Sequence, residues 1–205
     1  MSNKKPPCCK IVLLGDSGVG KTCLISRYLC GTFDNNCPTT NGASYATKEL
    51  ILENNQKIAL DIWDTAGQEV YRSLSKNFYL NASIGILVYD ISRRDTFESI
   101  KDYWYEQLKT FGEENMIFDI VGNKSDLFEN EEVKENEARE YAQSINAGFH
   151  LVSCKDGINI KELYEDCAKR YLEVNNLTGP GKTEQPKKEK IVLTTNKKPE
   201  KKKCC

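Results

Sequence analysis

A run of eight residues near the start of the chain has the composition and spacing of a phosphate-binding loop. Residues 15–22 read GDSGVGKT and fit the pattern G-x-x-x-x-G-K-[ST] at every fixed position. Glycines allow backbone N–H groups to point at phosphate oxygens, and Lys21 would add a positive charge at the β- and γ-phosphates. The hydroxyl of Thr22 is a suitable ligand for Mg²⁺. The alternative is a glycine-rich turn with a chance Lys-Thr pair, because such short patterns recur.

A second run, DTAGQ at 64–68, follows an apolar stretch that ends at Trp63. A carboxylate at the end of a buried strand is costly unless a cation compensates it, so we expect Asp64 to hold Mg²⁺ through a water molecule. Gly67 has no Cβ to keep its N–H from a γ-phosphate, and Gln68 is placed to orient an attacking water. The alternative is a strand-end turn that the aspartate side chain caps.

The third run, NKSD at 123–126, indicates which base is bound. The carboxylate of Asp126 can accept hydrogen bonds from both the ring N–H and the exocyclic amine of guanine, whereas adenine presents no such donor pair. Asn123 would hold neighbouring loops together, and the stem of Lys124 would cover the base. N-K-x-D arises often by chance in a charged chain, so its position after a buried strand is the stronger argument.

The residues between these motifs alternate between apolar runs and stretches with helical spacing. We predict strands at 10–14, 43–52, 57–63, 84–90, 117–122 and 149–153, and helices at 20–29, 96–111, 135–145 and 158–172. This alternation predicts an α/β fold of three layers, with a mostly parallel six-stranded sheet and helices on both faces. Ligands of such sheets bind at the carboxyl ends of the strands, which is where all three motifs fall.

The chain divides into one domain and two flexible ends. We predict a flexible N-terminus over 1–9, a nucleotide-binding domain over 10–174 and a flexible basic tail over 175–205. Nine Lys and three Glu give residues 182–205 a net charge of +6, whereas the preceding 20 basic and 27 acidic residues leave −7. The acidic body argues against nucleic-acid binding, and the basic tail suits an anionic membrane or an acidic partner.

The nine cysteines do not have the spacing of a disulfide scaffold or of a zinc site. Their number is odd and no two of them form a C-x-x-C pair. There is no stretch of 18 apolar residues, and the first seven residues lack the apolar run of a secretory signal. We therefore expect the protein to be made and folded in the cytosol.

Together the three motifs resemble those of the Ras-like small GTPases, over residues 10–172. Within that superfamily, WDTAGQE at 63–69 and the terminal Cys204-Cys205 are most similar to the Rab branch. The resemblance implies a P-loop G domain that is monomeric, with GTP and GDP as ligands and Mg²⁺ as cofactor. It also implies hydrolysis of GTP to GDP and phosphate, with Gln68 as the catalytic residue.

The same resemblance assigns site residues one by one. Thr40 matches a threonine that closes on Mg²⁺, Phe33 matches an aromatic residue beside the base, and Ser153-Cys154-Lys155 matches a loop whose backbone touches the guanine. The implied nucleotide-binding residues are Ser17, Gly18, Val19, Gly20, Lys21, Thr22, Cys23, Phe33, Thr40, Gly67, Asn123, Lys124, Asp126, Ser153, Cys154 and Lys155. The implied metal residues are Thr22, Thr40 and, through water, Asp64.

Three aromatic residues, Tyr45, Trp63 and Phe78, match the surface that Rab effectors bind; ordinary packing on the sheet surface is the alternative. The chain departs from the family pattern at Asn41, Val70 and Cys154. The first two lie in the switch segments, so they bear on which effectors bind rather than on the nucleotide. Ser17 and the run GASY at 42–45 are similar to Rabs of the early endosomal group.

The ending Cys204-Cys205 resembles the site of dual geranylgeranylation in Rabs, since two lipid chains give stable membrane binding where one does not. The alternative is that both cysteines are incidental ends of a disordered tail. The resemblance implies the cytoplasmic face of intracellular membranes, with cycling through the cytosol, and the similarity at Ser17 and 42–45 implies endosomal membranes. Implied partners are effectors, an exchange factor, a GTPase-activating protein, an escort protein and a GDP-dissociation inhibitor.

Two other functions share this fold. A non-catalytic docking module would bind nucleotide and membranes without turnover that an activator stimulates. An ATP-using kinase or transport ATPase would share residues 15–22, but NKSD favours guanine and no separate substrate domain is visible. No arginine is obviously placed over the γ-phosphate, so we expect slow intrinsic hydrolysis, on the order of 10⁻⁴ to 10⁻² s⁻¹.

Overall fold

The computed structural model describes residues 5–35, 40, 43–65, 79–113 and 115–177, and the structural statements below concern these residues. Its strands are β1 (Cys8–Leu14), β2 (Ala43–Ile51), β3 (Lys57–Thr65), β4 (Ile84–Asp90), β5 (Ile117–Asn123) and β6 (Gly148–Leu151). Its α-helices are α1 (Lys21–Cys30), α2 (Arg94–Ser99), α3 (Tyr105–Phe111), α4 (Glu135–Ser144) and α5 (Ile160–Val174). A 3₁₀ segment, Ser125–Asn130, follows β5.

The six strands form one sheet in the order β2-β3-β1-β4-β5-β6. Only the hairpin of β2 and β3 pairs antiparallel; the other four neighbouring pairs are parallel. All seven residues of β4 are buried, as expected for a central strand that is covered on both faces. The predicted α/β fold with a mostly parallel six-stranded sheet is confirmed.

Two apolar clusters cover the two faces of the sheet and make three layers. Alternate residues of β1 point to opposite faces: Ile11 and Leu13 belong to the cluster of α1 and α5, whereas Val12 and Leu14 belong to the cluster of α2, α3 and α4. Most members of both clusters are buried aliphatic or aromatic side chains, and the first also contains Cys9, Cys154 and Cys167. The sheet is therefore covered on both faces, and the loops at its carboxyl edge project from it.

Five of the six strands begin or end one or two residues away from the sequence prediction, and β1 and β6 show the reasons. β1 begins at Cys8 rather than at residue 10, because Cys9 is fully buried and the strand pairs with β3 from Cys8 onward. β6 ends at Leu151 rather than at 153, because Ser153 instead bridges to Ile158 across a short turn. Apolar patterning locates strand interiors better than strand ends.

The predicted helix at 96–111 is continuous but not uniform. α2 and α3 are joined through one π-helical turn, Ile100–Trp104, in which the N–H of Tyr105 donates to the carbonyl of Ile100. Such turns are uncommon in helices. None of the described helices is both long enough and apolar enough to cross a membrane.

Candidate functional site

A cavity of about 400 Å³ opens at the carboxyl ends of the parallel strands. Residues of the first and third motifs line it together with residues from loops far away in the sequence. The predicted site residues on its wall are Ser17, Gly18, Gly20, Lys21, Thr22, Cys23, Phe33, Thr40, Asn123, Lys124, Asp126, Cys154 and Lys155. Val19 and Ser153 are fully buried behind it. Its volume is suitable for a small ligand such as a nucleotide.

The phosphate loop leaves β1 at Leu14 and enters α1 at Lys21. Its close packing requires glycine at two positions. A Cβ on Gly15 would lie 2.1 Å from the carbonyl oxygen of Val88, and one on Gly20, whose φ is +99°, would lie 2.3 Å from Nδ2 of Asn123. The loop is thus fixed against β4 and against the third motif, with the N-terminus of α1 directed at the cavity.

Lys21 is a buried cation on the cavity wall. Its Nζ donates to the carbonyl oxygens of Gly15 (2.8 Å) and Asp16 (2.9 Å). Burial lowers the pKa of Lys21 to about 8, although Asp64 and Asp16 act in the opposite direction. Burial thus disfavours the charged form of Lys21, and an anion in the cavity would favour it again. The phosphates of a nucleotide would be such an anion.

The candidate metal residues meet at one side of this cavity. The hydroxyl of Thr22 donates to Oδ2 of Asp64 (2.7 Å) and lies 2.6 Å from the hydroxyl of Thr40. Asp64 is almost fully buried, and burial raises its pKa. Its second oxygen, Oδ1, is buried without a hydrogen-bond partner among the described residues. Two hydroxyls and a carboxylate with an unpartnered oxygen fit the oxygen-rich ligand set of Mg²⁺.

Asn123 connects three parts of the site. Its Nδ2 donates to the carbonyl of Val19 in the phosphate loop (2.7 Å), and its Oδ1 accepts from the backbone N–H of Cys154 (3.4 Å). Burial raises the pKa of the Cys154 thiol to about 12, so that this side chain lines the cavity as a neutral group. The phosphate end and the base end are therefore joined by one fully buried amide.

Asp126 and Lys124 form the opposite end of the cavity. Oδ1 of Asp126 accepts from the hydroxyl of Ser153 (2.7 Å), and Oδ2 lies 3.8 Å from Nζ of Lys155. Lys124 has a left-handed backbone (φ 65°), and its Nζ pairs with Oδ2 of Asp90 at 2.7 Å. These contacts hold the carboxylate and the lysine stem at the cavity wall.

Sequence reasoning missed several residues of the site. Asp90 is the last residue of the buried strand β4, and Asp64 is the last but one of β3. A carboxylate at the end of an apolar run, the pattern used for Asp64, therefore also indicates Asp90. Thr65, inside the second motif but not predicted as a site residue, also lines the cavity, as do three residues without a recognisable pattern of their own: Asp34, Asn35 and Leu127. They come from loops and strand ends that only the fold brings together.

Some predicted residues cannot be placed. Gly67, Gln68, Phe78, Cys204 and Cys205 lie outside the described residues, as do Asn41 and Val70. Of the aromatic surface, Tyr45 and Trp63 are in contact, with ring centroids 5.1 Å apart, and Tyr45 is 53% exposed.

Comparisons with known proteins agree with the motifs. The model of the Ras family matches residues 10–173. The chain is 41% identical to human Ras-related protein Rab-22A over 174 residues, which is 84% of this chain and 89% of that protein. It is 40% identical to human Ras-related protein Rab-31 over 181 residues, 86% of this chain and 92% of that protein. A more distant species shows the same relationship: RabJ of Dictyostelium discoideum is 40% identical over 80% of this chain and 63% of its own length.

A match that spans most of the chain and of its relatives, at this identity, establishes kinship for the whole domain rather than for one motif. It supports guanine-nucleotide binding and GTP hydrolysis as the general activity. The chain belongs to the Rab branch of the Ras family of small GTPases.

Proposed function

We propose that the chain is a GTP-dependent switch that hydrolyses GTP slowly on its own and recruits effectors to an intracellular membrane in vesicular trafficking. The observation that carries this proposal is the meeting of Thr22, Thr40 and Asp64 beside a cavity that also holds NKSD. Thr22 of α1, Thr40 from between α1 and β2, and Asp64 of β3 converge there, far apart in sequence. They would act as oxygen ligands, and Asp126 on the cavity wall would act as the carboxylate clamp.

The phosphate loop and the third motif divide the nucleotide between them. Backbone N–H groups of residues 17–23 and the charge of Lys21 would bind the phosphates. Asp126 would accept from the two donors of guanine, and the backbone at 153–155 would contact the base from the other side. A fully buried Asn123 keeps these two subsites at a fixed separation.

Thr22 and Thr40 would hold Mg²⁺ by their hydroxyls, and Asp64 would hold it through water. Bound Mg²⁺ neutralises negative charge on the phosphates. Because Thr40 comes from the segment between α1 and β2, its contact with Thr22 links that segment to the state of the γ-phosphate. Loss of the phosphate on hydrolysis would release it, which is how GTPase switches change their surface.

Gln68 would orient the attacking water, and Gly67 would contact the γ-phosphate. No arginine is among the described residues that line the cavity. We therefore expect intrinsic hydrolysis on the order of 10⁻⁴ to 10⁻² s⁻¹, with roughly 10³- to 10⁵-fold stimulation by an activating protein. Gln68→Leu should slow single-turnover loss of GTP; an unchanged rate would remove Gln68 from the mechanism.

Tyr45 and Trp63, with Phe78, would form the effector surface, and Cys204 and Cys205 would carry two isoprenoid chains. An escort protein would present the chain for lipidation, and a GDP-dissociation inhibitor would return it to the cytosol. The basic tail adds up to about 1 kcal/mol for each lysine that reaches an anionic leaflet. Endosomal membranes are the location that the run at 42–45 favours.

The proposal is tested by measuring the affinities for GTP, GDP and ATP and then single-turnover hydrolysis with and without a Rab activating protein. Asp126→Ala should abolish the preference for guanine. Asp156→Ala is the matched control, because Asp156 is an exposed carboxylate nearby that does not line the cavity. Equal affinity for ATP would contradict the proposal, and tight GTP binding without stimulated turnover would leave only a docking role.

A further inference from the structure

The phosphate loop is held from outside the cavity by side chains of one helical segment. Trp104, the last residue of the π turn, donates from Nε1 to Oδ1 of Asp16 at 2.9 Å. Arg93, which precedes α2, donates from Nη1 to the carbonyl of Ser17 at 3.4 Å. Two consecutive residues of the loop are thus bound by the chain segment that follows β4.

Asp16 is also bound from the inside. Its carbonyl oxygen accepts from Nζ of Lys21, while its carboxylate accepts from Trp104. A single residue therefore connects the helix to the cation that we assign to the phosphates. Asp16 does not itself line the cavity.

The carboxylate of Asp16 has the wrong sign for a loop that binds phosphates. A negative charge that swung towards the cavity would repel the nucleotide, so its orientation matters. The indole N–H donates a hydrogen bond to one carboxylate oxygen of Asp16. The negative charge of Asp16 is also among the charges that raise the pKa of Arg93, so the guanidinium attracts this carboxylate. Both groups favour a carboxylate that points away from the ligand.

The position of the indole is fixed by its packing. Trp104 is 1% exposed and lies in one cluster with Phe97, Ile100 and Leu108. Its ring also meets Tyr103 edge-on at 4.9 Å. A donor held this firmly can fix the direction of the acceptor side chain on Asp16, at a point of the loop that the contacts with β4 and Asn123 do not reach.

We propose that Trp104 and, more weakly, Arg93 are positioning residues of the phosphate loop, and that through Asp16 and Ser17 they set how long a bound nucleotide is retained. This inference rests on the proposed function, since it needs a nucleotide in the cavity. It assigns a role in nucleotide retention to a helix that contributes none of the predicted site residues.

The test measures the rate of release of a fluorescent GDP analogue from the full chain in excess Mg²⁺. Trp104→Phe keeps an aromatic ring but removes the N–H, and we expect release to accelerate by about three- to tenfold, because hydrogen bonds to charged groups are the stronger ones. Asp16→Asn keeps an acceptor but loses its charge, so its release rate should lie between those of the wild type and Trp104→Phe. Asp16→Ala should resemble Trp104→Phe.

A double variant separates positioning from packing. If Trp104 acts through Asp16, combining Trp104→Phe with Asp16→Ala should release GDP no faster than the faster single variant. If Trp104 only packs the core, the two effects should multiply, and the inference is then wrong. Tyr105→Phe is the matched control on the same helix, because Tyr105 contacts Phe118 rather than the loop; its release rate should be unchanged.

Arg93 gives a second variant in case Trp104→Phe does not fold. Its side chain is 44% exposed, so Arg93→Gln should fold. Because partly exposed charged contacts are weak, the variant should release GDP only about twofold faster. The inference is overturned if Trp104→Phe releases GDP at the wild-type rate, or if the single variants Arg93→Gln and Asp16→Ala both do. Either result would leave the proposed function intact. A wild-type chain that does not retain GDP would overturn both.

Discussion

Asp64 and Asp119 are two buried carboxylates in equivalent places with different surroundings. On the parallel strands β3, β1, β4 and β5, the residues Ile62, Ile11, Ile84 and Ile117 are register partners. Asp64 follows Ile62 by two residues and Asp119 follows Ile117 by two residues. Both carboxylates therefore lie at the same level and on the same face of the sheet. Both are at most 2% exposed. What differs is which groups surround each of them.

Asp119 is compensated from within the fold. Arg170 of α5 pairs with its Oδ2, the thiol of Cys167 donates to the same oxygen at 3.3 Å, and Nε2 of His150 lies 3.5 Å from Oδ1. Asp64 instead accepts from a threonine hydroxyl. Oδ1 of each aspartate lacks a hydrogen-bond partner among the described residues, but Oδ1 of Asp119 has His150 nearby, whereas Asp64 lies beside the residues that line the cavity. The charge of Lys21 opposes the rise in the Asp64 pKa, but no ion pair joins the two among the described residues. Removing the cation that pairs with a buried carboxylate destabilises the fold, whereas a buried carboxylate without a paired cation indicates a place for an external one.

The largest effect should come from removing the cation of Asp119. Arg170→Met leaves a fully buried carboxylate without its main partner, so the free energy of unfolding should fall by about 3–5 kcal/mol. Urea unfolding at a fixed saturating concentration of GDP and Mg²⁺ measures this. Lys169→Met is the matched control, because the ion pair of Lys169 among the described residues is with the half-exposed side chain of Asp166, and its loss should cost less than about 1 kcal/mol. Equal losses would remove the distinction between the two aspartates.

Asp64→Asn should act on the metal rather than on the fold. Without the carboxylate charge, the Mg²⁺ concentration that half-maximally slows GDP release should rise by about 10- to 100-fold, as for other groups that support a metal. Stopped-flow release across a Mg²⁺ titration measures it. Arg170→Met, assayed under conditions where it is folded, should show the wild-type midpoint, and a shift as large as that of Asp64→Asn would contradict the comparison.

The lowered pKa of Lys21 predicts how GDP affinity depends on pH. The free protein loses the Lys21 proton near pH 8, whereas phosphates in the cavity would retain it. Binding then takes up a proton, and affinity should fall by up to about tenfold per pH unit above pH 8. Titration between pH 7 and 9 measures this. Lys21→Arg stays charged and shares every other titrating group, so its profile should be flatter; identical profiles would exclude Lys21 as the cause.

The smallest effect should come from His150. Its imidazole is 3.5 Å from Asp119, and Arg170 already compensates that carboxylate. His150→Gln should therefore lower the free energy of unfolding by no more than about 1 kcal/mol in the same urea assay. A loss that matched Arg170→Met would mean that histidine, not arginine, supplies the compensating charge.

The sequence was sufficient for those parts of the site that are local in the chain. The loop at 15–22 and NKSD at 123–126 each have a fixed spacing, and both follow apolar runs that proved to be strands. The six-stranded sheet followed from the alternation of such runs. Local patterns were enough here because each strand positions the motif that directly follows it.

Contacts between distant parts of the chain could not be predicted in the same way. Asp119 and Arg170 are 51 residues apart, and Trp104 and Asp16 are 88 residues apart. No spacing rule links such pairs, because their proximity depends on the order of strands and on the packing of a helix. The π turn at Ile100–Trp104 was likewise hidden, since Phe97, Ile100, Trp104 and Leu108 have the spacing of an ordinary helix face.

The most direct test of the account identifies what the cavity binds. The full chain is incubated with equal concentrations of GDP, GTP and ATP in Mg²⁺, separated from free nucleotide and denatured, and the released nucleotide and metal are quantified. We expect one guanine nucleotide and one Mg²⁺ per wild-type chain, with Mg²⁺ lost from Asp64→Asn and kept in Arg170→Met. Adenine nucleotide in comparable amount, or a metal content that Asp64→Asn does not change, would contradict it.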